Sequence, residues 1–312
     1  MRSRETKFSL RRTTTGGEIM KLGLQIPSFT WPGGPEQIPS TLVRLGQAAE
    51  EAGFASLWVM DHFFQIEMIG KPDEPMLEGY SVLNFLAAVT RRIRLGTLVT
   101  GVIYRYPGIL IKTVTTLDVL SGGRAYFGIG AEWYEHEAKA LGVPFPPLKE
   151  RFEQVEETLQ IALQMWSGKR APFHGKHHQL AQTLNVPQPL SKPHPPIMIG
   201  GAGEKRTLAL VAKYADACNL YAFENTDLLR AKLDVLRRHC DAVRRPFEDI
   251  ERTAIGAIDL RVGHANVRDA IEYCRRINDA GIQHLIVSLP GDYELKPIEI
   301  MGNEIIPAVA EL

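Results

Sequence analysis

Residues 93–129 read IRLGTLVTGVIYRYPGILIKTVTTLDVLSGGRAYFGI. An apolar, β-branched run (93–100) gives way to a stretch with apolar residues at helical spacing (109–120). Ser121-Gly122-Gly123 stops it, and a second apolar run follows (125–129). That is strand, helix, strand. Neither strand alternates polar with apolar residues, as a half-exposed antiparallel strand would, so both faces of the sheet are covered and the strands run parallel.

The same unit recurs in both directions. Upstream, strand 22–26 precedes a helix at 38–52 that stops at Gly53, and strand 57–60 precedes a helix at 82–90 after a long loop rich in Pro and Gly. Downstream, strand 125–129 leads to the strongly amphipathic helix 148–166, whose Leu148, Phe152, Val155, Leu159, Ala162 and Trp166 form one stripe. Strands 196–199, 217–220, 253–258 and 284–288 then alternate with helices 205–214, 226–244, 267–280 and 297–311. Residues 171–195 are polar and rich in His and Pro, and read as an inserted hairpin or excursion. Eight strand–helix pairs in one chain predict a (β/α)8 TIM barrel with an insertion, an α/β fold. The competing open sheet calls for a glycine cluster after strand one, where the chain has Gln25-Ile26-Pro27-Ser28.

The composition fits one barrel domain over residues 20–312: 45% of the 312 residues are hydrophobic and only 23% are charged, enough for a full core and too little charge for disorder. Lys plus Arg (36) equals Asp plus Glu (36), so no global field draws the chain to nucleic acid or an anionic membrane. No apolar run approaches the ~20 residues that span a bilayer. Cys218, Cys240 and Cys274 have neither disulfide-framework nor metal-ligand spacing, which fits a reducing, cytoplasmic setting. Residues 1–19, rich in Arg, Ser and Thr, read as a disordered N-terminal extension.

In a barrel the chemistry collects at the strand C-termini. Asp61-His62, after strand two, is the sharpest pair there: the two residues leave the strand in different directions, so one can hold a cofactor edge while the other handles a proton. Gly200-Gly201-Ala202-Gly203 before a helix is a natural anion site, because its backbone N–H groups are unshielded. Trp133, Tyr134, Tyr104 and Tyr106 offer faces for a flat ligand. His174, His177 and His178, taken with Asp61, His62 and His136, open an alternative reading as a metal-dependent hydrolase. Against it, the histidine segment is polar and Pro-bounded and no H-x-H follows strand one, so no metal ligand is assigned.

With these residues assembled, the chain resembles the bacterial luciferase-like family of flavin and deazaflavin enzymes, in particular the branch that uses coenzyme F420. The resemblance rests on LGLQIPSF, FASLWVMDHF, the long run from IRLGTLVTG to EAKALG, RFEQVEETLQIALQMW and PIMIGGAGEKRTLALVAKYADACN, in that order. It implies a ring held in the barrel mouth and hydride transfer to or from a small organic substrate. His62 would then be the catalytic residue near the reacting carbon, with Asp61 at the ring's polar edge. Leu98, Val99 and Thr100 match the place where the family kinks its backbone, commonly through a non-prolyl cis peptide that supports the ring. Gly130, Ala131 and Trp133 match the next wall, and Gly200, Gly201, Ala202 and Gly203 the phosphate-binding turn. The family's fold binds either the deazaflavin or FMN; Asp61-His62 together with Arg105-Tyr106-Pro107 is the pattern common in the deazaflavin branch. The alternatives are an FMN-dependent monooxygenase using reduced flavin and oxygen, and a catalytically silent flavin-binding barrel. The resemblance further implies a homodimer. Two departures limit it. The deazaflavin-dependent sugar-phosphate dehydrogenases carry a Trp shortly after their Asp-His pair, where this chain has Phe63-Phe64-Gln65-Ile66, so their substrate is not transferred. Glu132 stands one place before their acidic residue and receives no role.

Overall fold

The computed structural model describes residues 20–223 and 225–311; the reading of residues 1–19 falls outside them. In chain order the elements are β1 (Lys21–Ile26), α1 (Ile38–Ala52), β2 (Ser56–Val59), α2 (Gly79–Val89), β3 (Arg94–Thr97), β4 (Thr100–Gly101), α3 (Pro107–Ser121), β5 (Phe127–Gly130), α4 (Glu135–Ala140), α5 (Leu148–Trp166), β6 (Phe173–His174) and β7 (Gln179–Leu180). There follow β8 (Ile197–Gly200), α6 (Thr207–Tyr214), β9 (Ala217–Tyr221), α7 (Thr226–Val243), β10 (Glu251–Ala257), α8 (Val267–Asp279), β11 (His284–Ser288), α9 (Lys296–Ile300), a π-helical turn (Met301–Ile305) and α10 (Ile306–Val309).

The large sheet runs β3-β2-β1-β11-β10-β9-β8-β5-β4, and every pairing within it is parallel. β3 and β4 are two halves of one interrupted strand. β3 pairs back to the chain just before β5 through a parallel bridge between Leu95 and Ala125, which closes the sheet into an eight-stranded barrel. Residues 93–100, which read as one strand, are thus broken at 98–99, where the Leu98–Val99 peptide is cis. β6 and β7 form a small antiparallel hairpin outside the barrel.

Local chemistry sets the element ends. α1 and α3 stop at Gly53 (φ 91°) and Gly122 (φ 74°), both left-handed. The Glu78 side chain accepts from the Ser81 N–H and starts α2 three residues before the sequence reading placed it. α6 begins at Thr207 rather than residue 205, because 204–206 form a turn. The single C-terminal helix expected over 297–311 is instead α9, a π turn and α10. Pro307 has no N–H to donate and its ring disturbs the turn before it, which accounts for the interruption.

The main core lies between the strands and the surrounding helices. Inside the barrel sits a separate cluster of Trp58, Tyr126, Met198, Ala217 and Ile286, on which Leu98 and Val99 pack from the mouth side. The strand C-termini, and every residue the sequence singled out around Asp61 and Gly200, therefore open above a filled floor. Among the described residues no helix is long and apolar enough to cross a membrane.

Candidate active site

His62 leaves the end of β2 with 11% of its side chain accessible. Its Nδ1 lies 3.3 Å from Glu137 Oε1 on α4, and the Trp133 and Tyr134 rings meet its ring roughly at right angles, at centroid distances of 5.7 and 5.8 Å. Nδ1 is committed; Nε2 has no partner within the protein among the described residues. Burial opposes a charge on this imidazole. The bond to Glu137 and the charges of Glu132, Glu137 and Asp61 outweigh it and hold His62 above the usual histidine range.

Glu137 is fully buried. Its Oε1 also accepts from the Tyr104 hydroxyl at 2.5 Å, while Oε2 accepts from the backbone N–H groups of Phe63 (2.7 Å) and Phe64 (2.6 Å). Burial alone would raise this carboxyl; the donors, His62 and Tyr104 foremost, hold it below the usual carboxylate range. The amides of Phe63 and Phe64 thus anchor the loop after His62 to Glu137.

Asp61 is 3% exposed. Arg105 grips it through two bonds (Nη1–Oδ2 2.7 Å, Nη2–Oδ1 2.8 Å), and the Gly101 N–H donates to Oδ2 at 3.2 Å. Arg105 also donates to Glu78. Burial pushes Asp61 up to about 6 against the pull of Arg105. Asp61 and Arg105 stand in separate motifs of the sequence, and the structure joins them as an ion pair. Thr100 is fully buried behind the mouth wall, its hydroxyl bonded to those of Tyr80 and Thr97 at 2.7 Å each.

Val99, which follows the cis peptide, packs on the barrel-interior cluster. A Cβ on Gly130 or Gly200 would lie 2.9 or 3.0 Å from its methyl groups, so the glycines of two neighbouring strands make its seat. Ala131 and Glu132 follow β5. Glu132 adopts φ 62°, an uncommon conformation for a residue with a side chain. Its own Oε1 caps the amides of Trp133 (2.7 Å) and Tyr134 (2.8 Å), and Arg151 holds the carbonyls of Ala131 and Glu132 from below. The result is a Trp133 that is 55% exposed beside His62.

On the far side, Gly201 (φ 115°) spends its N–H on Asn219 O at 3.0 Å. The amides of Ala202 and Gly203 have no acceptor among the described residues. Beneath them lies the Thr207 hydroxyl, which a Cβ on Gly203 would approach to 2.8 Å. The turn therefore offers two backbone donors and one hydroxyl.

Sequence reasoning missed Glu137, Glu78, Tyr80 and Thr207. A glutamate on a short polar helix looks like a solvated one, and only donors from residues 63, 64 and 104 make Glu137 a buried hub. The excursion histidines considered for a metal are engaged away from His62: His177 bonds Glu153 of α5 at 2.7 Å, and His174 bonds Gln179 of its own hairpin at 3.0 Å.

A parallel barrel with an interrupted third strand, an imidazole–carboxylate pair and a glycine turn at its mouth defines a ring-binding barrel enzyme. Residues 20–291 match the luciferase-like monooxygenase family, and the chain belongs to it. It is 31% identical over 245 residues to an F420-dependent glucose-6-phosphate dehydrogenase of Kineococcus radiotolerans, a match covering 77% of this chain and 68% of that protein. It is 26% identical to the enzyme of the same name from Nakamurella multipartita, over 91% of this chain and 97% of that one. Its fold is also that of an F420-dependent secondary alcohol dehydrogenase solved with an F420-acetone adduct, at a TM-score of 0.79 and 19% identity, covering 93% of this chain and 99% of that chain.

Proposed function

We propose that this chain is a coenzyme F420-dependent oxidoreductase that moves a hydride between the deazaflavin and a small organic substrate. The observation that carries the reading is His62: one ring nitrogen committed to a buried carboxylate, the other uncommitted at the barrel mouth, beside an exposed indole. When bound, the deazaflavin supplies a ring carbon where a flavin has nitrogen, and so behaves as a two-electron hydride carrier.

This chain's residues then do four things. The seat formed by Leu98, Val99, Gly130, Ala131 and Trp133 supports and orients the ring. The amides of Ala202 and Gly203, with the Thr207 hydroxyl, hold the tail phosphate, while Gly200 and Gly201 keep that turn open. Asp61 and Thr100 act from behind, fixing β4 through Gly101 and Tyr80. His62 Nε2 takes the hydroxyl proton as an alcohol C–H leaves as hydride and C=O forms, or returns it in the reverse direction. A cytoplasmic setting fits the three free thiols, all buried. A homodimer is part of the proposal, tested by sedimentation.

Titration with F420 and with FMN, followed by ring fluorescence, tests the cofactor. Tight binding of F420 and weak binding of FMN is expected; the reverse preference overturns it. A panel of alcohols and carbonyl compounds, assayed with oxidised and reduced deazaflavin, then finds the substrate. His62→Ala should lower turnover and spare F420 affinity. Gly201→Val, which forces a side chain to φ 115°, should do the opposite.

A further inference from the structure

We propose that Glu137 is the positioning residue for His62, fixing the imidazole as the Nδ1–H tautomer so that Nε2 meets the substrate as a proton acceptor. The inference rests on the proton role just given to His62 and adds what makes that role possible.

Glu137 is a fully buried carboxylate with no Lys or Arg paired to it among the described residues. An isolated buried charge is costly, so this one is held by donors. Three of the four are fixed: the amides of Phe63 and Phe64 and the hydroxyl of Tyr104 can only donate to it. The fourth is His62 Nδ1 at 3.3 Å. An ionised carboxylate only accepts, so the nitrogen facing it carries the proton. In the neutral imidazole that leaves the lone pair on Nε2, the mouth side. The other groups facing His62 sustain this arrangement. Glu132, after β5, adds negative charge. Asp61, on His62's own loop, is ion-paired with Arg105 and adds to that charge, and Trp133 and Tyr134 make T-shaped ring contacts with the imidazole that bring no charge. Two of the Glu137 donors are the residues immediately after His62, so the same carboxylate fixes the loop and the ring it carries.

The test is Glu137→Gln. The new side chain keeps its size, but its NH2 cannot face the two backbone N–H groups. The amide oxygen must turn to Phe63 and Phe64, placing NH2 against His62 Nδ1. The loop stays anchored and the neutral tautomer is forced to Nε2–H, the wrong one for accepting a proton. Nitrogen-15 NMR of the histidine rings in the protein without cofactor reads this directly: Nε2 of His62 should appear unprotonated in the wild type at alkaline pH and protonated in the variant. On the best substrate from the panel, turnover in the oxidation direction should fall about 10²–10⁴-fold, as for carboxylate-to-amide changes behind a catalytic histidine, with F420 affinity nearly unchanged. The pH at which His62 deprotonates should move down. Tyr104→Phe, which leaves the carboxylate in place, should keep the wild-type tautomer.

A wild-type His62 that is Nε2–H at alkaline pH overturns the proposal with no substitution needed. So does a Glu137→Gln enzyme with wild-type turnover. His62→Asn separates the two layers. If it turns over normally, the proton role fails; if it is inactive while Glu137→Gln is not, only the positioning role fails.

Discussion

At Gly101 the protein leaves out a side chain, and the space is used by a carboxylate. A Cβ there would lie 2.2 Å from Glu132 Oε2 and 2.7 Å from the Tyr104 ring, while the Gly101 N–H supports Asp61. Gly101→Ala therefore has to displace Glu132 or Tyr104, and through them the Glu137 hub, although the backbone at 101 would tolerate alanine. Overpacking of this kind costs about 1–3 kcal/mol. We expect a thermal midpoint a few degrees lower and a turnover loss well beyond what stability explains. Turnover unchanged in a folded Gly101→Ala protein would show that the carboxylates of the mouth tolerate displacement. Residues such as Asp61, His62 and the glycine turn are legible in sequence because strand ends can be counted. The uses of Gly101 and Glu137 are not, because each is defined by atoms tens of residues away.

The elements that the sequence gives up readily are the ones whose burial follows a period. Most barrel strands carry a short apolar stretch, and α5 and α8 carry clear stripes. α4 escapes this reading: six residues, EHEAKA, of which only Glu137 and Ala138 are buried. The β6–β7 hairpin is legible only as the lapse in pattern over 171–195, because just Phe173 and Leu180 of it pack on the core and a carboxylate holds its turn. Glu157 of α5, 8% exposed, accepts from the amides of Lys176, His177 (3.1 Å) and His178 (2.8 Å). Hydrogen bonds to a charged group contribute about 1.5–3 kcal/mol each, so Glu157→Ala should release the hairpin while the barrel stays folded. Limited proteolysis should cut the variant between residues 171 and 185 with only a small change in melting temperature; resistance equal to wild type would place the anchoring elsewhere. The barrel floor offers a pH-dependent counterpart. Glu251, at 17% side-chain exposure, faces Lys21 (2.8 Å), Tyr126 (2.7 Å) and His284 (3.4 Å). Burial would raise this carboxyl, but His284 and Lys21 outweigh it and hold it far below the usual range. A carboxyl depressed in the folded state stabilises above its unfolded value of ~4.3 and loses that contribution as pH falls. Wild type should therefore exceed Glu251→Gln in stability at pH 7, by about 2–4 kcal/mol. The gap should shrink as pH drops below about 4. A gap constant to pH 3, measured by denaturant titration, would mean that the charge contributes nothing.

For the whole molecule, the decisive step is closing the sheet between the third and fourth strand units, where the ladder is thinnest. β3 reaches the chain before β5 through one bridge, with Leu95 N–H donating to Arg124 O (2.9 Å) and Tyr126 N–H to Leu95 O (2.7 Å). Arg124 stands at that joint, 9% exposed. Its guanidinium donates to the carbonyls of Ala87, Thr90, Ile93 and Ser121 and to the Thr90 hydroxyl, joining the end of α2, the start of β3 and the end of α3. Among the described residues no carboxylate pairs with it; burial lowers its affinity for a proton without approaching neutrality at pH 7. A buried arginine read from sequence looks like a turn residue after two glycines, since four of its five acceptors are carbonyls, which carry no side-chain signature. Arg124→Met keeps the apolar stem but leaves those carbonyls unsatisfied at 1–3 kcal/mol for each that water cannot reach, for a total of roughly 3–5 kcal/mol. Lys would reach only part of the fork. Melting temperature should thus fall in the order wild type, Arg124→Lys, Arg124→Met, and hydrogen exchange should quicken first at Leu95 and Tyr126, the two amides of the bridge from β3. Equal protection of those amides in Arg124→Met would show that the barrel closes without this clamp.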